Sequence, residues 1–221
     1  MRRVLLVVVS LVLSSACGSG SETGAPESGT TGSATGTTTT GSATGGADVA
    51  VPEPPPAQEW PTTTDPGTGV TFRLPGEAKV ETRAGNADGT TPDITSYQYE
   101  VAEDFGVTVS FAEAAAADYS AAGLAEVADM IVQQFTAQGA TDAEVTDRHP
   151  STIAGRPALD YRVSFTAKTG TKSIWLSRAI GDGTRVVQLQ TIAFVDPADV
   201  AALTPLVERY HQTLVESVTL P

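Results

Sequence analysis

Between Gly18 and Asp48 the chain has no Leu, Ile, Val, Met, Phe, Tyr or Trp. A segment without large apolar side chains cannot bury enough surface to offset the entropy of ordering it. It is mostly Gly, Ser, Thr and Ala, and reads as disordered linker. The sequence Gly-Ser-Ala-Thr at 32–35 and again at 41–44 does not amount to a repeat architecture. Any hydrophobic core must therefore be built on one side of this segment. Only 17 residues precede it, so the core belongs to the C-terminal side.

The residues before the linker form an address. Met1-Arg2-Arg3 is a short positive region, and Val4–Leu13 is an apolar run broken only by Ser10. That run is shorter than the roughly 20 residues a spanning helix needs. Ser14-Ser15-Ala16 then supplies small residues ahead of Cys17. This is the three-part pattern of a secretory signal peptide over 1–16. Leu13-Ser14-Ser15-Ala16-Cys17 resembles the bacterial lipobox, in which the cysteine thiol receives a diacylglyceryl group and becomes the new N-terminus. The departure is Ser14, where the family has Leu or Val three residues before the cysteine. The resemblance implies lipidation of Cys17 and attachment to the outer face of the cell membrane. The alternative is a soluble secreted protein with one free thiol. With residues 1–16 removed, 11 bases face 26 acids, so attraction to an anionic membrane would not hold the chain and the anchor would.

From 49 to 66 the composition turns Pro-rich, with Pro52, Pro54, Pro55, Pro56, Pro61 and Pro66, and is expected to be stiffer and polyproline-like. The whole tether is placed at 17–66. Its 49 residues after Cys17 would reach about 35–42 Å as a flexible coil. Thr37–Thr40 are candidates for O-glycosylation, plain linker being the favoured reading.

Residues 67–221 hold every Phe and Tyr, one of the two Trp and all the remaining bases. That length buries roughly 68–70% of its unfolded surface, enough for one domain. Val70–Leu74 alternates and stops at Pro75-Gly76, with Lys79–Thr82 as the expected partner strand. Residues 84–93 read as a loop. Tyr97, Tyr99 and Val101, then Val107, Val109 and Phe111, alternate across a short turn at Glu103-Asp104. Leu124, Val127, Ile131 and Phe135 fall on one face of a helix over about 120–138, ended by Gly139. Strands follow at Leu159–Phe165, Ile174–Leu176 and Arg185–Phe194. A last helix is expected from Asp196 as N-cap and Pro197 in its first turn, with a stripe of Val200, Leu203, Val207, Tyr210, Leu214 and Val218. The order reads as strands, helix, strands, helix. The fold class is α+β, a mostly antiparallel sheet packed with two amphipathic helices.

The chemistry the chain can carry is narrow. One Cys excludes an internal disulfide and any cysteine-rich zinc site. A formal charge of −13 argues against nucleic acid, whose affinity comes from Lys and Arg. His149 precedes Pro150 in an expected loop. His211 lies near the end of the last helix, where an imidazolium would favour the helix dipole. Neither histidine has metal-ligand spacing, and no Gly-x-Ser-x-Gly elbow occurs. Asn86-Ala-Asp88-Gly89 lacks the flanking acids of a calcium loop, since Ala84 and Thr95 stand there. Gly170-Thr-Lys172-Ser173 lacks the glycines of a P-loop and reads as a hairpin turn. No metal, cofactor or catalytic residue is assigned. Tyr97, Tyr99 and Trp175 are the candidate binding surface, since Tyr and Trp are enriched in such surfaces. Aromatic core is the competing reading. Trp175 has opposite parity to Ile174 and Leu176, which marks an exposed spot or a second covered sheet face.

Val70-Thr-Phe-Arg-Leu-Pro-Gly76, the turn Ile153-Ala-Gly-Arg-Pro-Ala158 and a closing C-terminal helix together resemble the Mog1/PsbP-like fold, an α/β/α sandwich. Within it they are most similar to actinobacterial lipoproteins carrying such a domain behind a Thr/Gly-rich tether. The resemblance covers about 70–221 and implies binding of other proteins, a small GTPase for Mog1 and a photosystem for PsbP. No shared active site comes with the fold. The resulting expectation is a lipid-anchored, extracytoplasmic, non-enzymatic module that binds or assists an envelope protein. Two alternatives stay open: a carrier of a lipid or small amphiphile in a sheet–helix cavity, and a hydrolase using His149 or His211.

Overall fold

In a computed structural model the described residues are 51–85, 92–115 and 117–221. The signal segment, Cys17, the linker up to residue 50 and the Asn86-Ala-Asp88-Gly89 stretch lie outside them. Twelve regular elements follow one another: a single 3-10 turn at Ala57–Glu59, β1 (Thr62–Thr64), β2 (Thr71–Arg73), β3 (Lys79–Arg83), β4 (Asp93–Ala102), β5 (Phe105–Glu113), α1 (Ala121–Ala137), β6 (Thr141–Ile153), β7 (Arg156–Thr166), β8 (Lys172–Asp182), β9 (Arg185–Val195) and α2 (Val200–Ser217). Seven strands form one antiparallel sheet in the order β3-β4-β5-β9-β8-β7-β6, and β1 and β2 make a separate pair. The turns explain the pairing. Ala154 and Gly155 both have positive φ, 49° and 77°, as a two-residue turn matching strand twist requires.

Side-chain parity gives the sheet two covered faces. On β7, Leu159, Tyr161, Val163 and Phe165 are buried against α1 together with Trp175 of β8. Phe135 of α1 stacks on Phe165 at 4.3 Å and meets Trp175 edge-on at 5.5 Å. The opposite face carries Phe105, Val107, Val109, Phe111, Ile174, Ile180 and Leu189 beneath Leu206, Val207, Tyr210 and Leu214 of α2. The helices therefore lie on opposite sides of the sheet. This is the α+β sandwich expected, and Trp175 marks the second covered face.

α1 keeps to the bounds expected for it. Ser120 caps it by accepting from the Gly123 amide at 3.4 Å. At its end Gly139, at φ +91°, donates to Thr136 and Ala140 donates to Phe135, a glycine-dependent C-cap. α2 begins one turn later than expected. Asp199 rather than Asp196 holds the cap position, and the Asp199 amide closes a turn onto the Asp196 carbonyl at 2.9 Å.

Three further expectations are corrected. β2 pairs with β1, Thr62 opposite Arg73, while Lys79–Arg83 pairs with β4. β1 had been hidden in the Pro-rich stretch, yet three consecutive β-branched Thr favour a strand. His149 and Pro150 are on β6 rather than in a loop. The ordered structure also begins well before residue 67. Trp60 is 2% exposed, its ring 6.1 Å from Tyr210, and its Nε1 donates to the Pro55 carbonyl at 2.9 Å. Glu53 grips Arg209 through two bonds of 2.8 Å, and the Tyr210 hydroxyl donates to the Pro52 carbonyl at 3.2 Å. Asp65 is buried, accepting from the Tyr97 hydroxyl at 3.0 Å and from the amide and hydroxyl of Thr68. Residues 51–66 are thus a strap packed on α2 and the sheet.

Candidate functional site

The aromatic trio is not brought together on one surface. Tyr97 is buried between Phe72 and Phe111, with centroids at 5.1 and 5.9 Å. Burial, then the bond to Asp65, pushes its hydroxyl up to about 12, so it stays a neutral donor. Tyr99 is half-buried and lies against Gly76, where any Cβ would fall 2.3 Å from its ring. Trp175 has no exposure and sits on the other face of the sheet. Tyr97 and Trp175 are core residues, and Tyr99 is half-buried against the core.

The two histidines are brought together instead. A cleft of about 300 Å³ opens between α2 and the strands β6, β7 and β8. Two register rows form its floor. One runs His149–Asp160–Arg178, and the next runs Thr146–Arg162–Leu176–Thr191 across to β9. Glu208, His211, Gln212 and Val215 form its wall, at the spacing of one helical face.

Charge pairs hold this cleft in shape. Asp160 takes both Nε and a terminal nitrogen of Arg178, at 2.5 and 2.8 Å, with both side chains only about a quarter exposed. Fork-to-fork geometry of this kind fixes orientation as well as energy. Arg162 bridges the cleft, reaching Glu208 on α2 at 2.6 Å and Asp147 on β6 at 3.4 Å. Asp147 is available because β6 has a register shift between Thr146 and His149, where Asp147 takes φ +52°. A bulge re-aims a side chain in this way.

His211 is the less exposed member of the pair, half-buried on α2. Its Nδ1 lies 3.2 Å from the Thr191 hydroxyl. Burial pushes its pKa down to about 4, with Asp160 raising and Arg178 lowering it by smaller amounts. The ring is therefore neutral at pH 7, which corrects the expectation of an imidazolium serving the helix dipole. His149 is exposed at the mouth. Thr191, the hydroxyl bonded to His211, has no exposure and cannot meet a substrate. Ser177 lines the strand beside the cleft, but its parity directs the side chain to the α1 face, opposite Tyr161. The Tyr161 hydroxyl there is pushed up to about 12 by burial. Among the described residues no group of three His, Cys, Asp or Glu is arranged to hold a metal ion.

No signal in the sequence alone could have assembled this cleft. Its parts come from β6, β7, β8, β9 and α2, and only the pairing registers set them side by side.

Comparison with known proteins bears on the fold. No protein-family model and no curated protein matches the chain. Among solved structures, the cyanobacterial PsbP (CyanoP) of Synechocystis sp. PCC 6803 superposes with a TM-score of 0.52 at 12% identity, covering 80% of this chain and 96% of that one. LpqN of Mycobacterium tuberculosis, described as involved in cell envelope biogenesis, gives a TM-score of 0.34 at 14% identity, covering 79% of this chain and 83% of that one. The chain has a PsbP-like α+β fold. At these identities the likeness concerns architecture and not the site.

Proposed function

We propose that the chain is an extracytoplasmic accessory module that binds another envelope protein through the cleft between α2 and β6–β8. The observation that carries this is the cleft itself: it is open, braced by charge pairs, and the one hydroxyl bonded to a histidine among its described residues, Thr191, is sealed from solvent. Asp147 and Glu208 straddle Arg162 with 65% and 48% of their side chains exposed. Exposed charges of this kind steer and select a partner. Leu176 and Val215 add an apolar floor. The signal pattern at 1–16 and the lipobox-like Ser14-Ser15-Ala16-Cys17 support delivery to the outer face of the membrane, held by lipid on Cys17 and displayed on the Gly/Ser/Thr linker. The structure favours neither alternative. A lipid carrier wants a pocket that encloses most of its ligand, whereas this cleft is open and crossed by charged pairs. A hydrolase wants an accessible hydroxyl or thiol beside a histidine, and Thr191 is sealed.

Two measurements test the reading separately. Cys17→Ala is expected to move the protein from the membrane fraction to the medium, and unchanged membrane retention would refute the anchor. Glu208→Lys, which sets a second cation against Arg162, is expected to lower recovery of the partner at least tenfold while circular dichroism stays native. Unchanged recovery would remove the cleft as the docking site.

A further inference from the structure

The two edges of the seven-stranded sheet differ. β6 is guarded: it has two register shifts, left-handed Asp142 and Asp147 at φ 53° and 52°, and Pro150 within the strand. These are the devices by which proteins blunt a free edge. Among the described residues β3 has no register shift, left-handed residue or proline, and its guards are its shortness and its charges. Lys79–Arg83 is a regular strand, exposed along its whole length and hydrogen-bonded on one side to β4. Its second residue, Val80, is 54% exposed and is the one large hydrophobic side chain left open among the described residues.

We propose that β3 pairs antiparallel with β3 of a second copy of this chain, on a two-fold axis through Val80. The charge sequence carries the argument. With Val80 opposite Val80, Lys79 falls opposite Glu81 of the second copy, and the two-fold repeats that pair. Lys79 and Glu81 already share one sheet face, bonded to each other at 2.6 Å. Cross-strand neighbours lie about 4.5–5.5 Å apart, so the same groups can exchange partners across the axis. Registers centred on Lys79 or Glu81 would set like charges face to face. Centring on Ala78 or Thr82 keeps one kind of ion pair and loses the Val80 contact. An edge of this length buries less than the ~1,200–2,000 Å² of a standard interface. The dimer is therefore weak, and is favoured where the chain is concentrated, as on a membrane.

Disulfide trapping tests this on the full chain carrying Cys17→Ser. Val80→Cys is expected to give a covalent dimer on oxidation, because paired residues sit about 4.5–5.5 Å apart between Cα atoms, within disulfide range. Thr82→Cys, which faces Ala78 of the second copy, is expected to give little. Adding Lys79→Glu, or Glu81→Lys, to Val80→Cys is expected to lower the dimer about tenfold or more, since each opposes like charges twice. Adding both together restores complementarity and should restore the dimer. These substitutions are on exposed side chains and leave the core untouched. Three results would overturn the proposal: equal trapping at 80 and 82, no response to the charge changes, or capture of a different protein by Val80→Cys.

Discussion

Replacing Trp60 with Ala separates a tether from a structural strap more sharply than any other single change. The indole is 2% exposed and packs on Tyr210, and its Nε1 bonds to the Pro55 carbonyl at 2.9 Å. A buried Trp withdraws about 150–250 Å² from water, worth roughly 4–6 kcal/mol by area. Truncation of buried Trp in other cores costs about 3–5 kcal/mol, and the lost hydrogen bond is contained in that figure. The expected loss is therefore about 3–5 kcal/mol, a large share of the ~5–15 kcal/mol that holds an ordinary domain. Urea unfolding of the full chain, followed by far-ultraviolet circular dichroism so that the lost fluorophore does not matter, reads it directly. Trp60→Phe should fall between, because it keeps the contact with Tyr210 and loses the donor. A loss below ~0.5 kcal/mol, the range of an ordinary surface substitution, would refute the strap.

Two further outcomes follow from the packing. The pKa of His211 lies near 4 in the fold against 6.5 for the free side chain, so the unfolded chain binds the proton first. Its stabilising contribution is complete above pH 6.5 and is lost as pH falls toward 4. Stability should drop by about 2 kcal/mol more between pH 8 and 5 than in His211→Gln, and parallel pH profiles would contradict the neutral ring. Gly181 has no room for a side chain, since a Cβ would sit 1.9 Å from the Tyr119 carbonyl oxygen. Gly181→Ala should cost at least ~1–3 kcal/mol in the same assay, as overpacking does, and a neutral result would mean that the segment before α1 is not seated on β8.

The sequence made the periodic parts legible and left the assembled parts obscure, for physical reasons. α1 was readable because Leu124, Val127, Ile131 and Phe135 repeat at helical spacing ahead of a Gly stop. The parity of Trp175, opposite to that of Ile174 and Leu176, raised a second covered face without deciding between it and an exposed spot. β6 escaped because its burial is low along most of its length and two register shifts interrupt its alternation. The strap escaped because proline content suggested an extended linker. Its extended backbone is indeed used, but Trp60 nails it to a core whose other half lies 150 residues away at Tyr210. The cleft was illegible for the same reason: His149 and His211 are distant in sequence, and only the register of β6, β7 and β8 beneath α2 makes them neighbours.

The central claim is that the cleft docks a protein, and a photo-crosslinking side chain tests it most directly. Placed at Gln212 on the cleft wall or at His149 at its mouth, in the full chain in its own envelope, it should capture one and the same protein. Placed at Glu100, exposed on β4 away from the cleft, it should not. Capture of that protein from Glu100 as well, or no capture from either cleft position, would contradict the account.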